Sequence, residues 1–165
     1  MGMVDALLPE FDHEMTTTRK VLERLPEDRL DWKPHVKSFS LGALATHVAT
    51  LPTWGAETLN KSELDLAGGQ PAAALPSKTE LMAAFDRNVA ATRLALAGKT
   101  DAELLAMWTL KRGGKTIFSM PKTSVLRSFV FSHLIHHRGQ LSVYLRLLDV
   151  PVPSIYGPSA DEPSF

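Results

Sequence analysis

Cysteine is absent from this 165-residue chain. The chain can therefore form no disulfide, it has no thiol nucleophile, and any metal site must use nitrogen or oxygen ligands. No run approaches the roughly 18 apolar residues that a membrane-spanning helix needs. The acidic N-terminal segment, MGMVDALLPEFDHE, has too short an apolar run for a signal peptide. These absences favour a soluble cytoplasmic protein with no membrane partner.

The chain also has no excess of charge, since 18 Lys and Arg residues balance 18 Asp and Glu residues. A nucleic-acid-binding protein normally carries a surplus of basic residues gathered into a patch, and no such cluster is visible here. We therefore expect no nucleic-acid partner. The composition, 44% apolar and 22% charged, is ordinary for a globular protein, and the length predicts a single domain over residues 1–165.

Four segments place apolar residues three and four positions apart, which is typical of amphipathic helices. The first is predicted to begin near Pro9 and to stop at Pro26. The second begins near Ser38 or Ser40, either of which can cap the first helical turn. Pro52 predicts a bend in this helix, because proline removes one backbone hydrogen bond.

A third helix is predicted to open with a capping box formed by Ser77 and Glu80 and to end near Gly98. The last helix is predicted from about residue 123 to 148. The Gly-, Ala- and Pro-rich segment 66–76 is typical of an exposed loop. The predicted fold class is all-α, with the helices packed as a four-helix bundle.

Residues 106–121 interrupt the helical pattern. Alternating apolar residues flank Gly113 and Gly114 there, which indicates a β-hairpin. We expect a small two-stranded excursion that leans on the helices, because an isolated hairpin is only marginally stable.

Two histidines of the last helix, His133 and His137, are four residues apart. On a helix this spacing puts both on one face, about 6 Å apart, which suits two imidazoles that bind one metal ion. Both fall in the predicted apolar stripe, as does His47 in the middle of the second helix, so all three are predicted to point into the bundle. The alternative is that they are hydrogen-bonded core histidines, and the spacing alone does not separate the two readings.

Three neutral imidazoles leave one position open on a tetrahedral ion. An all-imidazole set suits a divalent zinc or nickel ion first, and iron or copper next, ahead of magnesium or calcium. No HExxH motif is present, so no general base can be named. Gln140 and Tyr144 are weak catalytic candidates near the open position, although a polar role in the core is the simpler interpretation. His136 is predicted at the surface or behind a ligand, and His13 and His35 are predicted to be structural or solvated.

The runs SHLIHHRGQLSVYLRLLDVPVPSIYGPSADE, SLGALATHVATLPTW and LERLPEDRLDWKPHVKSFSLGALATH resemble the DinB family of small helical proteins (DinB/YfiT-like). The resemblance covers nearly the whole chain. It implies a bundle of up-down-down-up topology, often dimeric, with a metal ion bound at positions that correspond to His47, His133 and His137. Family members with assigned activities are thiol-dependent transferases, isomerases or metal-dependent hydrolases, and many others have no known reaction.

The resulting functional hypothesis is a metal-dependent enzyme, either a hydrolase or a thiol-dependent S-transferase. Its expected partners are a small electrophilic substrate, a low-molecular-weight thiol and a second copy of the chain. The alternative is a non-catalytic metal-binding or stress-response bundle protein, which the missing general base favours.

The end of the sequence gives three further structural predictions, for Arg138, for Gly139 and for the C-terminal tail. Arg138 either pairs with a carboxylate and orients the last helix or is a solvated surface residue. Gly139 costs about 1 kcal/mol relative to alanine inside a helix, which predicts close packing there. The C-terminal tail is expected to fold back so that Asp161 or Glu162 pairs with a basic residue.

Overall fold

A computed structural model describes residues 2–67 and 77–163 of the chain, which are mostly helical with one small three-stranded sheet. The α-helices are α1 (Met3–Glu23), α2 (Leu41–Thr50), α3 (Thr53–Asn60), α4 (Lys78–Ala97), α5 (Asp101–Leu105), α6 (Lys122–Val125) and α7 (His133–Leu147). A π-helical segment, Leu126–Ser132, joins α6 to α7, and a 3-10 turn spans Glu27–Arg29. The strands are β1 (Glu63–Asp65), β2 (Met107–Arg112) and β3 (Lys115–Pro121). Most of the loop predicted at 66–76 lies outside the described residues.

The predicted helix ends are largely confirmed. The side chain of Ser40 accepts a hydrogen bond from the Ala43 amide at the start of α2. The side chain of Ser77 accepts one from the Glu80 amide at the start of α4. Gly98 ends α4. The predicted start of the first helix near Pro9 is wrong, because α1 begins at Met3 and contains this proline.

Pro52 lies between α2 and α3 and interrupts the helical hydrogen bonds as predicted, while Leu51 and Pro52 keep helical backbone angles. Polar side chains of α4 satisfy the backbone groups around it. Thr92 Oγ1 donates to the Pro52 carbonyl at 2.5 Å and accepts from the Ala56 amide at 3.0 Å. A Cβ atom on Gly55 would lie 2.4 Å from Thr92 Cγ2, so only glycine allows this approach. The close packing predicted at Gly139 is absent, since nothing lies within 4 Å of a Cβ built there.

Side-chain contacts between the long helices define their relative directions. α1 runs antiparallel to α4, the α2–α3 pair runs in the same direction as α4, and α7 runs antiparallel to α2. The contacts are Arg93 with Asp12 and Arg19 with Asp86, then Asn88 with Ala49 and Thr92 with Pro52, and finally His47 with His133 and Tyr144 with Phe39.

The hairpin is confirmed, but the sheet has a third strand that the sequence did not predict. β2 and β3 are antiparallel, and β1 pairs with β2 in parallel. Gly113 and Gly114 have φ values of 59° and 76°, which is the left-handed geometry that a tight hairpin turn needs. Both glycine amides donate to the carboxylate of Asp65 at 2.8 Å, so β1 clamps the turn. A three-residue strand is too short to show an alternating pattern, which explains why it was missed.

The hydrophobic core fills the space between the long helices. The side of α7 that faces it carries Leu134, Arg138, Leu141 and Leu145. This stripe is one position beyond His133 and His137, about 100° around the helix. The prediction that the histidines point into the interior is therefore wrong, since both, like His47, are half-buried at the edge of the core.

The helices of the described residues include none with the length and apolar character needed to cross a lipid bilayer.

Candidate metal centre

The rings of His47, His133 and His137, which together form the histidine centre, converge at the edge of the core. Their centroids are 4.5–5.1 Å apart. One nitrogen from each ring can be chosen so that all three lie within 4.8 Å of one another. α2 supplies the first residue, and the first two turns of α7 supply the other two. The structure thus brings together the three residues that the sequence predicted as ligands, and this cluster could hold a metal ion.

One pair of nitrogens has the separation expected around a tetrahedral ion. His47 Nε2 lies 3.3 Å from His133 Nε2. Two nitrogens that are each about 2.0–2.1 Å from a tetrahedral zinc ion are separated by roughly 3.3–3.4 Å. Among the residues that the structure describes, the cluster contains no carboxylate. The donor set is therefore all imidazole, which suits zinc, nickel, iron or copper.

The environment favours the neutral form of all three rings, which is the form that binds metal. Burial, together with the charges of His137 and His133, lowers the pKa of His47 to about 4. Burial is also the main cause of the lowered pKa of His133 and of His137. At neutral pH each ring therefore offers a lone pair without first losing a proton.

The π-helical segment orients His133. The backbone amide of His133 donates to the carbonyl of Val130, three residues earlier, instead of to Phe129. The Phe129 backbone lies against the His133 ring and raises the pKa of His133 against the larger effect of burial. Because Nε2 faces His47, Nδ1 is the nitrogen on the Phe129 side. This backbone contact holds Nε2 toward the centre, as is common for metal-binding histidines.

Gln140 orients His137 in a similar way. Its Oε1 lies 2.7 Å from His137 Nδ1 and accepts the proton of this nitrogen, which leaves Nε2 free for a metal ion. Tyr144 lies away from the centre: its hydroxyl donates to the Phe39 carbonyl at 3.3 Å, and its ring packs edge-on against Trp32. The structure thus places Gln140 against His137 and Tyr144 against the connector before α2, and a catalytic role for either stays a prediction.

The remaining histidines lie where the sequence placed them. His136 is exposed, and its ring centroid is 4.9 Å from that of His137. His13 and His35 are exposed and lie outside the histidine centre.

A buried polar cluster lies on the core side of the same helix. Arg138 is 1% exposed and pairs with Glu14 of α1 at 2.7 Å, which confirms the carboxylate pairing and excludes the surface reading. Tyr156 donates to Glu14 at 2.9 Å, accepts from Arg138 at 2.6 Å and places its ring under the guanidinium. Arg138 also donates to Thr18 at 3.2 Å. Sequence reasoning missed Glu14, although its position three residues after Phe11 on the apolar side of the first helix was a usable signal.

The C-terminal tail folds back over the helices, as expected. Asp161 pairs with Arg146 at the end of α7, and Glu162 pairs with Arg24 just after α1. The Asp161 carboxylate also accepts from the Val152 amide at 2.8 Å. These contacts hold the tail so that Tyr156 reaches the buried cluster.

Comparisons with known proteins agree with this architecture. The uncharacterized protein YrdA of Bacillus subtilis (strain 168) is 30% identical over 164 residues, which cover 96% of this chain and 91% of that protein. A DinB-like protein from Bacillus cereus ATCC 10987 superposes with a TM-score of 0.73 at 24% identity, over 92% of this chain and 97% of the other. A DinB-like protein, YjoA, from Bacillus subtilis gives 0.69 at 18% identity, over 91% and 96% of the two chains.

The two solved structures share the fold of this chain, and YrdA is similar to it in sequence over nearly the full length. The sequence model of the DinB family matches residues 1–164. The chain therefore belongs to the DinB family.

Proposed function

We propose that this protein is a metal-dependent transferase that joins a low-molecular-weight thiol to a small electrophile. The observation that carries the proposal is a half-exposed cluster of three neutral imidazoles with no carboxylate among them. A thiol loses its proton more readily than water does, so a cluster without a base favours a thiol over water as the nucleophile. An ionised thiol is already a strong nucleophile, so the centre suits thiol chemistry better than hydrolysis.

His47, His133 and His137 would hold a divalent ion, zinc or nickel first and iron or copper next. When bound, such an ion favours the ionised form of a thiol or water that reaches it. The Phe129 carbonyl and Gln140 keep two of the rings in the required orientation. In the transfer, the thiol gives its proton to solvent and its sulfur forms a bond to the electrophilic carbon. The leaving group departs with the electron pair of the bond that breaks.

The scaffold supports this proposal. The helix directions agree with the up-down-down-up bundle that the resemblance implied, with the two ligand-bearing helices antiparallel and adjacent. The half-buried position of the rings leaves one side of the cluster open to an incoming molecule. The expected homodimer stays a prediction, which analytical ultracentrifugation would check.

The experiment uses metal-free protein reconstituted with zinc or nickel and mixed with 1-chloro-2,4-dinitrobenzene and 2-mercaptoethanol. We expect thioether formation, followed by absorbance, to require metal and protein together. His133→Ala should abolish it, whereas His13→Ala, which removes an exposed histidine outside the centre, should leave it unchanged. Turnover that persists in His133→Ala would contradict the proposal.

Hydrolysis is the second candidate, because the same ion would also favour the ionised form of water. It is tested with p-nitrophenyl acetate in the absence of thiol. Ester cleavage that depends on metal and on His133, combined with no thioether formation, would replace the transferase by a hydrolase.

The non-catalytic alternative also rests on the missing carboxylate. It predicts a large fall in melting temperature on chelation and no turnover with any thiol or ester. Metal-dependent turnover with a substrate of either class would rule it out.

A further inference from the structure

An open groove of about 380 Å³ runs along the π-helical segment beside the histidine centre. Its lining, which we call the π-groove, is formed by Ser128, Phe129, Ser132, His133 and His136. His133 belongs both to this groove and to the histidine centre, so the two features share one ring. The groove is shallow and opens to solvent, so a molecule in it would contact the protein on one side.

The arrangement of residues explains why a groove is present. Residues four apart lie on the same side of a helix, so Ser128, Ser132 and His136 form one row and Phe129 and His133 form the next. The two serines are small, and both are exposed. They therefore leave space between the larger rings and offer hydroxyl groups at its floor.

Phe129 provides a fixed aromatic wall. Its ring stacks on Phe118 of β3 with centroids 4.8 Å apart and planes only 16° from parallel. Phe118 in turn packs against the fully buried Trp108 at 6.0 Å. The sheet thus holds one face of the Phe129 ring, and the ring is only half-buried. A wall that is flat, rigid and apolar favours a flat apolar partner, because aromatic rings gain most from offset-stacked or edge-to-face contact.

We propose that the π-groove binds an aromatic ring of the electrophilic substrate and brings the electrophilic carbon, in the ring or next to it, to the histidine centre. The proposal rests on the proposed function, which it narrows from small electrophiles to those with an aryl group. Phe129 is the specificity-determining residue, and Ser128 and Ser132 offer hydrogen bonds to polar substituents of the ring.

The first test needs no metal. ¹⁵N-labelled metal-free protein is titrated with benzyl alcohol while the amide chemical shifts are recorded. We expect saturable shifts centred on Ser128, Ser132 and His136. Loss of one aromatic contact should weaken binding between about twofold and twelvefold in Phe129→Ala.

Phe39→Ala is the matched control, because Phe39 is an exposed aromatic residue beside His47 but outside the π-groove. It should bind benzyl alcohol as the wild type does. If Phe129→Ala does not fold, Phe129→Leu keeps apolar volume without the stack and should show the same direction of change. Shifts scattered elsewhere, or equal affinity in the wild type and the Phe129 variants, would overturn the groove assignment.

The second test separates the groove from the proposed function. Calorimetry compares benzyl mercaptan binding to zinc-loaded and metal-free protein, and we expect zinc to tighten it at least tenfold. If benzyl alcohol fills the groove but zinc adds nothing for benzyl mercaptan, the groove assignment stands and the thiol transferase fails. If zinc tightens the binding of benzyl mercaptan but benzyl alcohol does not change the chemical shifts of the groove amides, the transferase proposal stands and the groove assignment fails.

Discussion

His137 and Arg138 are neighbours in the chain, yet they belong to two polar clusters of opposite character. The histidine centre is half-buried and neutral, and its ring nitrogens point at one another without an opposite charge. The cluster around Arg138 is buried, contains a charge of each sign and satisfies both with hydrogen bonds. The comparison teaches that one helix can carry a buried cluster of paired charges and a half-buried cluster of neutral rings, about 100° apart.

The difference is physical in origin. A buried guanidinium is tolerated only when it is paired, and the carboxylate of Glu14 and the ring of Tyr156 supply the partners. Imidazoles avoid the same cost by staying neutral, which leaves their lone pairs available. The charges of the Arg138 cluster satisfy each other, whereas the histidine centre offers ring nitrogens that could bind a cation.

The largest expected effect comes from breaking the ion pair of the Arg138 cluster. Arg138→Met leaves the buried Glu14 without an opposite charge, with only the Tyr156 hydroxyl as a hydrogen-bond donor, and should lower the free energy of unfolding by about 3–5 kcal/mol, as measured by urea denaturation. The double variant Arg138→Met with Glu14→Leu should recover most of this loss. Equal stability of the single variant and the wild type would show that the pair is not buried in solution.

Zinc binding at the histidine centre should give the next largest change in the free energy of unfolding. Zinc at 100 times its dissociation constant should raise the free energy of unfolding by about 2.7 kcal/mol, because it binds only the folded chain. His133→Ala should lose this gain while its metal-free stability stays close to that of the wild type. A zinc effect of the same size in His133→Ala would place the ion elsewhere.

Gln140→Leu should change the metal affinity of the histidine centre and leave the Arg138 cluster unaffected. Without the acceptor on Nδ1, His137 can rotate or change tautomer, and metal affinity should fall about 10- to 100-fold. Calorimetric titration measures this change. Ser142→Ala, which removes a hydroxyl bonded only to the backbone of its own helix, is the control and should bind zinc normally.

Tyr156→Phe should give the smallest change. It removes a hydroxyl that bridges Arg138 and Glu14 but keeps the ring under the guanidinium, so we expect a loss of about 1 kcal/mol in unfolding free energy. Zinc affinity should be unchanged within error. A fall in zinc affinity would show that the two clusters are coupled through α7.

The sequence predicted the site residues better than their surroundings. The HxxxH spacing fixes His133 and His137 on one side of a helix, and the apolar stripe of the second helix pointed to His47, which the resemblance also implied. The predicted burial of the histidines was wrong, because the sequence analysis did not recognise that Arg138 belongs to the buried stripe of the last helix. The side of a helix that faces the core cannot be read from an apolar pattern when a buried charge takes one of the positions.

The fold shows the same division between local and distant causes. Caps at Ser40 and Ser77, the interruption at Pro52 and the turn at Gly113 were predictable because their causes lie within a few residues. β1 was not, since its pairing depends on a contact between residues about 46 apart in the chain. The π-helical segment was missed too, because no local residue type marks the change of helical period.

X-ray absorption of the zinc-loaded protein tests most directly whether three rings meet at one ion. The account predicts one zinc per chain with three imidazole nitrogens at about 2.0–2.1 Å, and with one imidazole fewer in His47→Ala. An identical spectrum in His47→Ala would show that the ring from α2 does not share an ion with the pair on α7, and would contradict the account.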